Sequence, residues 1–383
     1  MMIDCRDFAA ALDSSGIHFF TGVPDSLLKS FGSYLEDNIP ASRHIIAANE
    51  GNALAIAAGH FLATGNVAAV YLQNSGLGNL VNPLASLNHP SVYGLPSLLI
   101  IGWRGEPGVS DEPQHRKQGE ITPDMLRSLD VPFQVLDSEC ADILSLVAES
   151  CRQMQKHGGP AAILVKKNTF SKYELSSSGE ENKYAIKREE AIHAILQRIP
   201  EKARLAATTG MPGREVYDYR EANFQGHGQD FLTVGSMGHA SSIALGMALS
   251  DDAVPVICLD GDGASLMHLG AIPIIGNRKP RNFVHLLLNN GAHDSVGGQP
   301  TVGFQIDLCA IAEASGYKTF EMVDTRNGIE AAIDKIFQTD GPHFLEIRVS
   351  KGNRPDLSRP KTSPSENRTD FMKRFGVNAS FYA

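Results

Sequence analysis

The chain has 383 residues, of which 42% are hydrophobic and 20% charged, and a formal net charge of −9. That length leaves room for two or three domains with a sizeable buried core. The acidic balance argues against a general nucleic-acid surface, and no apolar run approaches the roughly 20 residues that cross a bilayer, so neither nucleic acid nor membrane is an expected partner. The opening MMIDCRDFAAALDSSG is acidic where a secretory signal would be basic and then apolar. Five cysteines (Cys5, Cys140, Cys151, Cys258, Cys309) form no CxxC pair, so neither a disulfide framework nor a zinc site is indicated. A cytoplasmic setting is expected.

In chain order, the amphipathic RDFAAALDSSGI leads to the apolar run HFFTGVP. The helical ANEGNALAIAAGHFLAT follows, then the strand-like VAAVYLQ, a helical stretch near NLVNPLASLN and the strand-like SLLIIG. A polar stretch, SKYELSSSGEENKY at 171–184, reads as a linker. Beyond it the alternation repeats. A helix near EEAIHAILQRI precedes RLAATTG, ASSIALGMAL precedes VPVICLD, and LMHLGAIPIIG precedes FVHLLLNN. A helix around DLCAIAEASG and a last strand, HFLEIRV, close the pattern. Short apolar runs alternating with helical periods predict an α/β fold: two tandem doubly wound domains whose mainly parallel sheets are covered by helices on both faces. The expected boundaries are a domain at 1–170, the linker at 171–184, a domain at 185–350 and an extension at 351–383, lying over the surface or reaching a partner.

Ligands of such sheets bind beyond the carboxyl ends of the strands, so the turns after the apolar runs are informative. After VICLD comes Gly261-Asp262-Gly263, and after FVHLLL comes Asn289-Asn290-Gly291. Asp262 and Asn290 lie 28 positions apart, each at a strand end with a helix between them. One crossover in a parallel sheet lets both side-chain oxygens face one small site. A carboxylate, an amide oxygen and a nearby backbone carbonyl suit Mg²⁺ or Ca²⁺. An acidic loop without lysine or arginine would then hold a metal, and the metal would hold an anion.

This pairing of GDG with NN resembles the motif of the thiamine diphosphate-dependent enzyme superfamily. The resemblance implies thiamine diphosphate and Mg²⁺ as cofactors, with the metal held by Asp262, Asn290 and the carbonyl of Ala292. Gly261, Gly263 and Ala264 would let backbone approach the diphosphate. By the same likeness TVGSMGHASSIALGMAL would carry the cofactor's thiazolium, with the Gly235 carbonyl accepting from its 4′-amino group and Met237 as the apolar wedge. Ser236 and Gly210 would line the same groove. In AANEGNALAIAAG, Glu50 matches the glutamate that bonds the pyrimidine N1′, a role that calls for a desolvated carboxyl with a raised pKa. The two domains would be the pyrimidine-binding and diphosphate-binding domains, in that order.

Two further turns carry residues toward a substrate. TGVPDS places Asp25 after a strand, where the superfamily's pyruvate decarboxylases carry an aspartate. In LLIIGWRGEPGVSDEPQHRKQG, His115 matches the first histidine of those enzymes' pair and Arg116 stands where the second would be. A permanent cation in place of a titratable group suggests a substrate with an extra negative charge. Arg104, Asp111 and Lys117 share that loop and could each be a plain surface charge. LQNSGLGN, Gln73 to Asn79, resembles the family's glycine turn.

The chain is too short for the third domain of larger members, and its two-domain order is similar to the phosphonopyruvate and sulfopyruvate decarboxylases. NNGAHDSVGGQPT, FTGVPDSLLKSF and the DEPQH loop look most like the former family. That implies non-oxidative decarboxylation of 3-phosphonopyruvate to phosphonoacetaldehyde and CO2, a step of phosphonate biosynthesis. The candidate catalytic residues are Glu50, Asp25 and His115. Candidate substrate-binding residues are Asp25, His115, Arg116, His293 and Ser295. Members of the superfamily form their sites between subunits, so a homodimer or higher homo-oligomer is expected. The alternatives are a sulfopyruvate decarboxylase, a thiamine-dependent carboligase, or a non-catalytic subunit, which should have lost the Glu50 or metal-ligand equivalents that are all present here.

Overall fold

The computed structural model describes residues 2–176 and 182–377. The chain forms two compact units, Met1–Glu180 with Ser295–Gln299, and Glu181–Asp294 with Pro300–Ala383. Residues 177–181 of the expected linker and 378–383 of the expected extension lie outside the described residues.

In the first unit the strands are β1 (Phe19–Gly22), β2 (His44–Ile46), β3 (Ala68–Gln73), β4 (Leu98–Gly102), β5 (Phe133–Leu136) and β6 (Ala161–Val165). They form one six-stranded sheet in the order β2-β1-β3-β4-β6-β5, with every pairing parallel. The second unit contains β7 (Arg204–Ala207), β8 (Asp230–Leu232), β9 (Val256–Gly261), β10 (Phe283–Asn289), β11 (Thr319–Val323) and β12 (His343–Arg348). Its order is β8-β7-β9-β10-β12-β11, again parallel throughout. Each unit therefore traces the same path, and the strand order reverses between β1 and β3 and between β7 and β9. Those are the places where such sheets open a crevice for ligand.

The central strands β4, β6 and β10 are buried along their whole length, as parallel strands covered on both faces must be. Two apolar clusters, one on each sheet face, form the core of each unit. The edge strands β2, β5 and β11 alternate or expose side chains, and this weak apolar signal hid them from the sequence reading.

Three expectations need correction. The polar stretch around DEPQH is not a loop beyond Glu112: Pro113–Ser128 is a helix, begun by Pro113 at a position that needs no N–H. The single helix expected across LMHLGAIPIIG is two, Asp262–Met267 and Ala271–Arg278, separated at His268–Gly270. The segment after Ser350 is not merely a surface extension. Its helix Pro364–Arg374 buries Asn367 and Phe371, and Asn367 bonds the backbone of β8, accepting from Leu232 N at 3.1 Å and donating to Asp230 O at 2.8 Å.

Candidate active site

In the first unit the candidate residues gather at the carboxyl ends of β1 to β4. The turn after β1 places Asp25, buried, with Oδ2 accepting from the backbone N–H groups of Leu27 and Leu28 at 3.1 Å each. Its Oδ1 is buried without a hydrogen-bond partner. Burial raises the carboxyl to about 6, even though those backbone N–H groups and the Arg104 charge favour the ionised form.

Arg104, which the sequence left as an unassigned loop charge, is central here. Its Nε donates to Asp111 Oδ2 at 2.7 Å, its Nη2 to Asp111 Oδ1, and its Nη1 to Ser26 Oγ at 2.6 Å, beside Asp25. Asp111 in turn accepts from the backbone N–H groups of Gly105 and Glu112. The Arg104 backbone is held by Asn74 at the end of β3: Asn74 Nδ2 donates to Arg104 O at 2.8 Å and Oδ1 accepts from Arg104 N at 3.2 Å. Asn74 also donates to Thr122 Oγ1 at 2.9 Å on the helix Pro113–Ser128. His115 sits in the first turn of that helix, half-buried, and burial together with the Arg104 charge lowers it to about 4, so it is neutral at pH 7. Arg116 and Lys117 are exposed, and Lys117 pairs with Glu120. The cation beside Asp25 is thus Arg104, and Arg116 is not drawn into this network.

Glu50 opens the helix Glu50–Thr64, which Asn49 caps by accepting from Asn52 N at 2.9 Å. Glu50 is buried, and its Oε2 accepts from Asn79 Nδ2 at 2.6 Å. The turn after β3 presses against it, for a Cβ on Gly76 would lie 2.2 Å from Glu50 Oε1. Asn74, Gly76 and Asn79 were legible as one glycine turn, but not as separate supports of Arg104 and Glu50.

In the second unit four turns converge beyond β7 to β10. Gly210, with φ of 100°, caps the helix Met211–Ala222. Gly235, Ser236 and Met237 form the turn before the helix Ala240–Ser250, and Met237 Cε lies 3.5 Å from where a Cβ on Gly263 would stand. Gly261 ends β9, and Asp262, Gly263 and Ala264 begin the short helix Asp262–Met267, all three buried. Asp260, which had no matched role, is buried in the sheet: Oδ1 accepts from Gly261 N at 2.9 Å, and Oδ2 lies 3.4 Å from His285 Nε2. It fixes the turn while Asp262 faces the site.

Asp262 is bonded by the Thr301 hydroxyl and by backbone N–H groups, including that of Asn290. All of these donors are neutral. Burial consequently raises the carboxyl to about 6 despite the hydrogen bonds. A Cβ on Gly303 would lie 2.8 Å from Asp262 Oδ2 and 2.7 Å from Asn289 Oδ1, so only glycine leaves these oxygens their space. Asn290 is buried with Oδ1 accepting from Ala292 N at 3.1 Å. A buried carboxylate among neutral donors, an amide oxygen and adjacent backbone form a hard-oxygen set, and these residues fit a divalent cation of the Mg²⁺ type. His293 stands against Gly263, its ring 2.9 Å from the position of a Cβ there, and burial lowers it to about 4. Ser295 is exposed and belongs to the first unit.

Residues 6–126 match the thiamine pyrophosphate enzyme N-terminal TPP binding domain, and residues 208–347 match the C-terminal TPP binding domain. Phosphonopyruvate decarboxylase of Streptomyces viridochromogenes is 35% identical over 95% of this chain and 93% of its own. The phosphonopyruvate decarboxylase of Streptomyces hygroscopicus is 34% identical over 95% and 92%. Sulfopyruvate decarboxylase of Methanosarcina acetivorans is more distant, at 27% identity over 96% of each chain. Among the described residues, no helix is long and apolar enough to cross a membrane.

Proposed function

This chain belongs to the thiamine pyrophosphate enzymes, within the phosphonopyruvate decarboxylase family, and we propose that it converts 3-phosphonopyruvate to phosphonoacetaldehyde and CO2. The observation that carries the proposal is the end-to-end similarity to two phosphonopyruvate decarboxylases, with the buried Asp262 cradle lying inside the matched region. Thiamine diphosphate, when bound, supplies the sink for the electron pair left behind as CO2 departs.

The chain's residues divide the remaining work. Asp262, Asn290 Oδ1 and the Ala292 carbonyl would hold Mg²⁺, leaving Gly261, Gly263 and Ala264 to receive the diphosphate by backbone approach. Gly210, Gly235, Ser236 and Met237 would line the rest of the cofactor's bed, and Glu50 would bond its pyrimidine end, steadied by Asn79. Asp25, raised to about 6, can hold or release a proton near neutrality, which makes it the candidate proton donor to the product carbon. His115, neutral and within the field of both Arg104 and Asp111, is a hydrogen-bonding contact for substrate without a fixed charge. The departing carboxylate loses its charge in the transition state, so a fully exposed cation against it would oppose the reaction. Arg104, already bonded to Asp111, meets that requirement while still offering positive field to an anionic substrate.

The reading includes the pyrimidine-binding and diphosphate-binding assignment of the two units, assembly into at least a homodimer, and a cytoplasmic setting consistent with five unpaired cysteines. Paired assays with 3-phosphonopyruvate and sulfopyruvate test the substrate. A higher kcat/KM for the phosphonate is expected, and a higher value for sulfopyruvate would transfer the chain to the sulfonate enzymes.

A further inference from the structure

Asn290 presents an amide, and an amide has two ends of similar shape. Only the oxygen can coordinate a cation, so something must decide which end faces the site. Asn290 Nδ2 donates to Asp294 Oδ2 at 2.7 Å. Turning the amide over would set its oxygen against that carboxylate oxygen, and neither has a proton to share.

Asp294 is itself held from two distant parts of the second unit. Arg188 Nη1, at the start of the helix Arg188–Leu196, donates to Asp294 Oδ2 at 3.1 Å. The Gly352 N–H, beyond β12, donates to the same oxygen at 2.8 Å. Arg188 also binds Glu215 of the helix Met211–Ala222 with two hydrogen bonds, Nε to Oε2 at 2.9 Å and Nη2 to Oε1 at 3.0 Å. Arg188 and Glu215 are both buried, and the Asp294 side chain is only 12% exposed. Two carboxylates share one guanidinium, so the group keeps one negative charge, and the same Asp294 oxygen that Arg188 and Gly352 hold accepts from Asn290.

A buried ion pair adds little net stability over apolar packing, whereas it does fix the direction of the groups it bonds. We infer that Asp294 is a positioning residue for cation binding: held by Arg188 and Gly352, it fixes the Asn290 amide with Oδ1 toward the metal. The inference rests on the metal-site reading above. Carboxylates that orient a metal ligand from behind alter metal affinity roughly 10–100-fold when removed.

The test is calorimetric titration of Mg²⁺ into the full chain with thiamine diphosphate present, alongside melting of the cofactor-free protein. Asp294→Ala is expected to raise the half-saturating Mg²⁺ concentration at least tenfold, with binding restored at high Mg²⁺. Asp294→Leu, close in size and without an acceptor, serves in its place if the alanine variant fails to fold. Asp262→Ala is the control and is expected to abolish Mg²⁺-dependent binding. If Asp262→Ala does so while both Asp294 variants stay within twofold of wild type, merely melting lower, Asp294 is a structural tie and the inference is overturned. If Asp262→Ala binds Mg²⁺ like wild type, the metal-site reading itself fails and the inference goes with it.

Discussion

Burial moves the Asp25 carboxyl up and the half-buried His115 imidazole down, and both shifts favour the neutral form. Asp25 is raised from 3.8 to about 6, so the stability it contributes is full below pH 3.8 and is lost as pH rises through 6. Asp25→Asn has no such loss. The variant should melt a few degrees above wild type at pH 8, converge with it near pH 4, and turn over substrate roughly 10²-fold more slowly. Equal melting at both pH values would contradict the buried-carboxylate account. His115, lowered from 6.5 to about 4, contributes stability that is present above pH 6.5 and lost as pH falls through 4. His115→Gln should therefore flatten part of the acid limb of a melting-temperature profile. At Glu50, removal of the carboxyl in Glu50→Ala should slow turnover by roughly 10³-fold. Calorimetric affinity for Mg²⁺–thiamine diphosphate should change far less, because the anchoring residues lie in the other unit of the chain.

At the scale of elements, turns rather than strands carry the site. The turn Asn74–Gly76 lets β3 end directly against Glu50, and Gly76→Ala would place a methyl 2.2 Å from Glu50 Oε1. Stopped-flow turnover is expected to fall at least tenfold while Mg²⁺–cofactor affinity is kept, since overpacking of roughly 1–3 kcal/mol would act at Glu50 alone. An unchanged rate would show that Glu50 tolerates displacement. Two central strands, β4 and β10, were legible because burial on both faces leaves LLIIG and FVHLLLN almost wholly apolar, whereas β6, AAILV, is as fully buried and was not singled out. Helix Pro113–Ser128 was not, since it buries only Gly119, Thr122 and Leu126 and so shows no apolar stripe. The final helix had left a readable signal, Ser363 followed by Glu366, whose side chains and backbones form a reciprocal capping box. The pairing of Asp262 with Asn290 was visible because both lie within two residues of a strand end. Arg104, Thr301 and Asp294 were not, because Arg104 reaches Ser26, Thr301 reaches Asp262, and Asp294 is tied to Arg188 and Gly352, all across segments that no sequence spacing joins.

For the whole molecule, the two units repeat one strand order, and the candidate residues occupy matching ends of it: Asp25 and Gly210 after β1 and β7, Arg104 and Asn290 after β4 and β10. The second unit is completed by the segment beyond β12, through Gly352 on Asp294 and Asn367 on β8. A chain ending at Ser350 should therefore melt lower and lose Mg²⁺-dependent cofactor binding; a truncated chain that binds normally would contradict this role. Sedimentation of the full chain is expected to give at least a dimer, with a monomer at micromolar concentration counting against the proposed assembly. The most direct measurement is product analysis after the purified chain is incubated with thiamine diphosphate, Mg²⁺ and 3-phosphonopyruvate. Phosphonoacetaldehyde and CO2 are expected in equal amounts, dependent on both cofactors; condensation products in place of free aldehyde, or no aldehyde at all, would contradict the proposed decarboxylation.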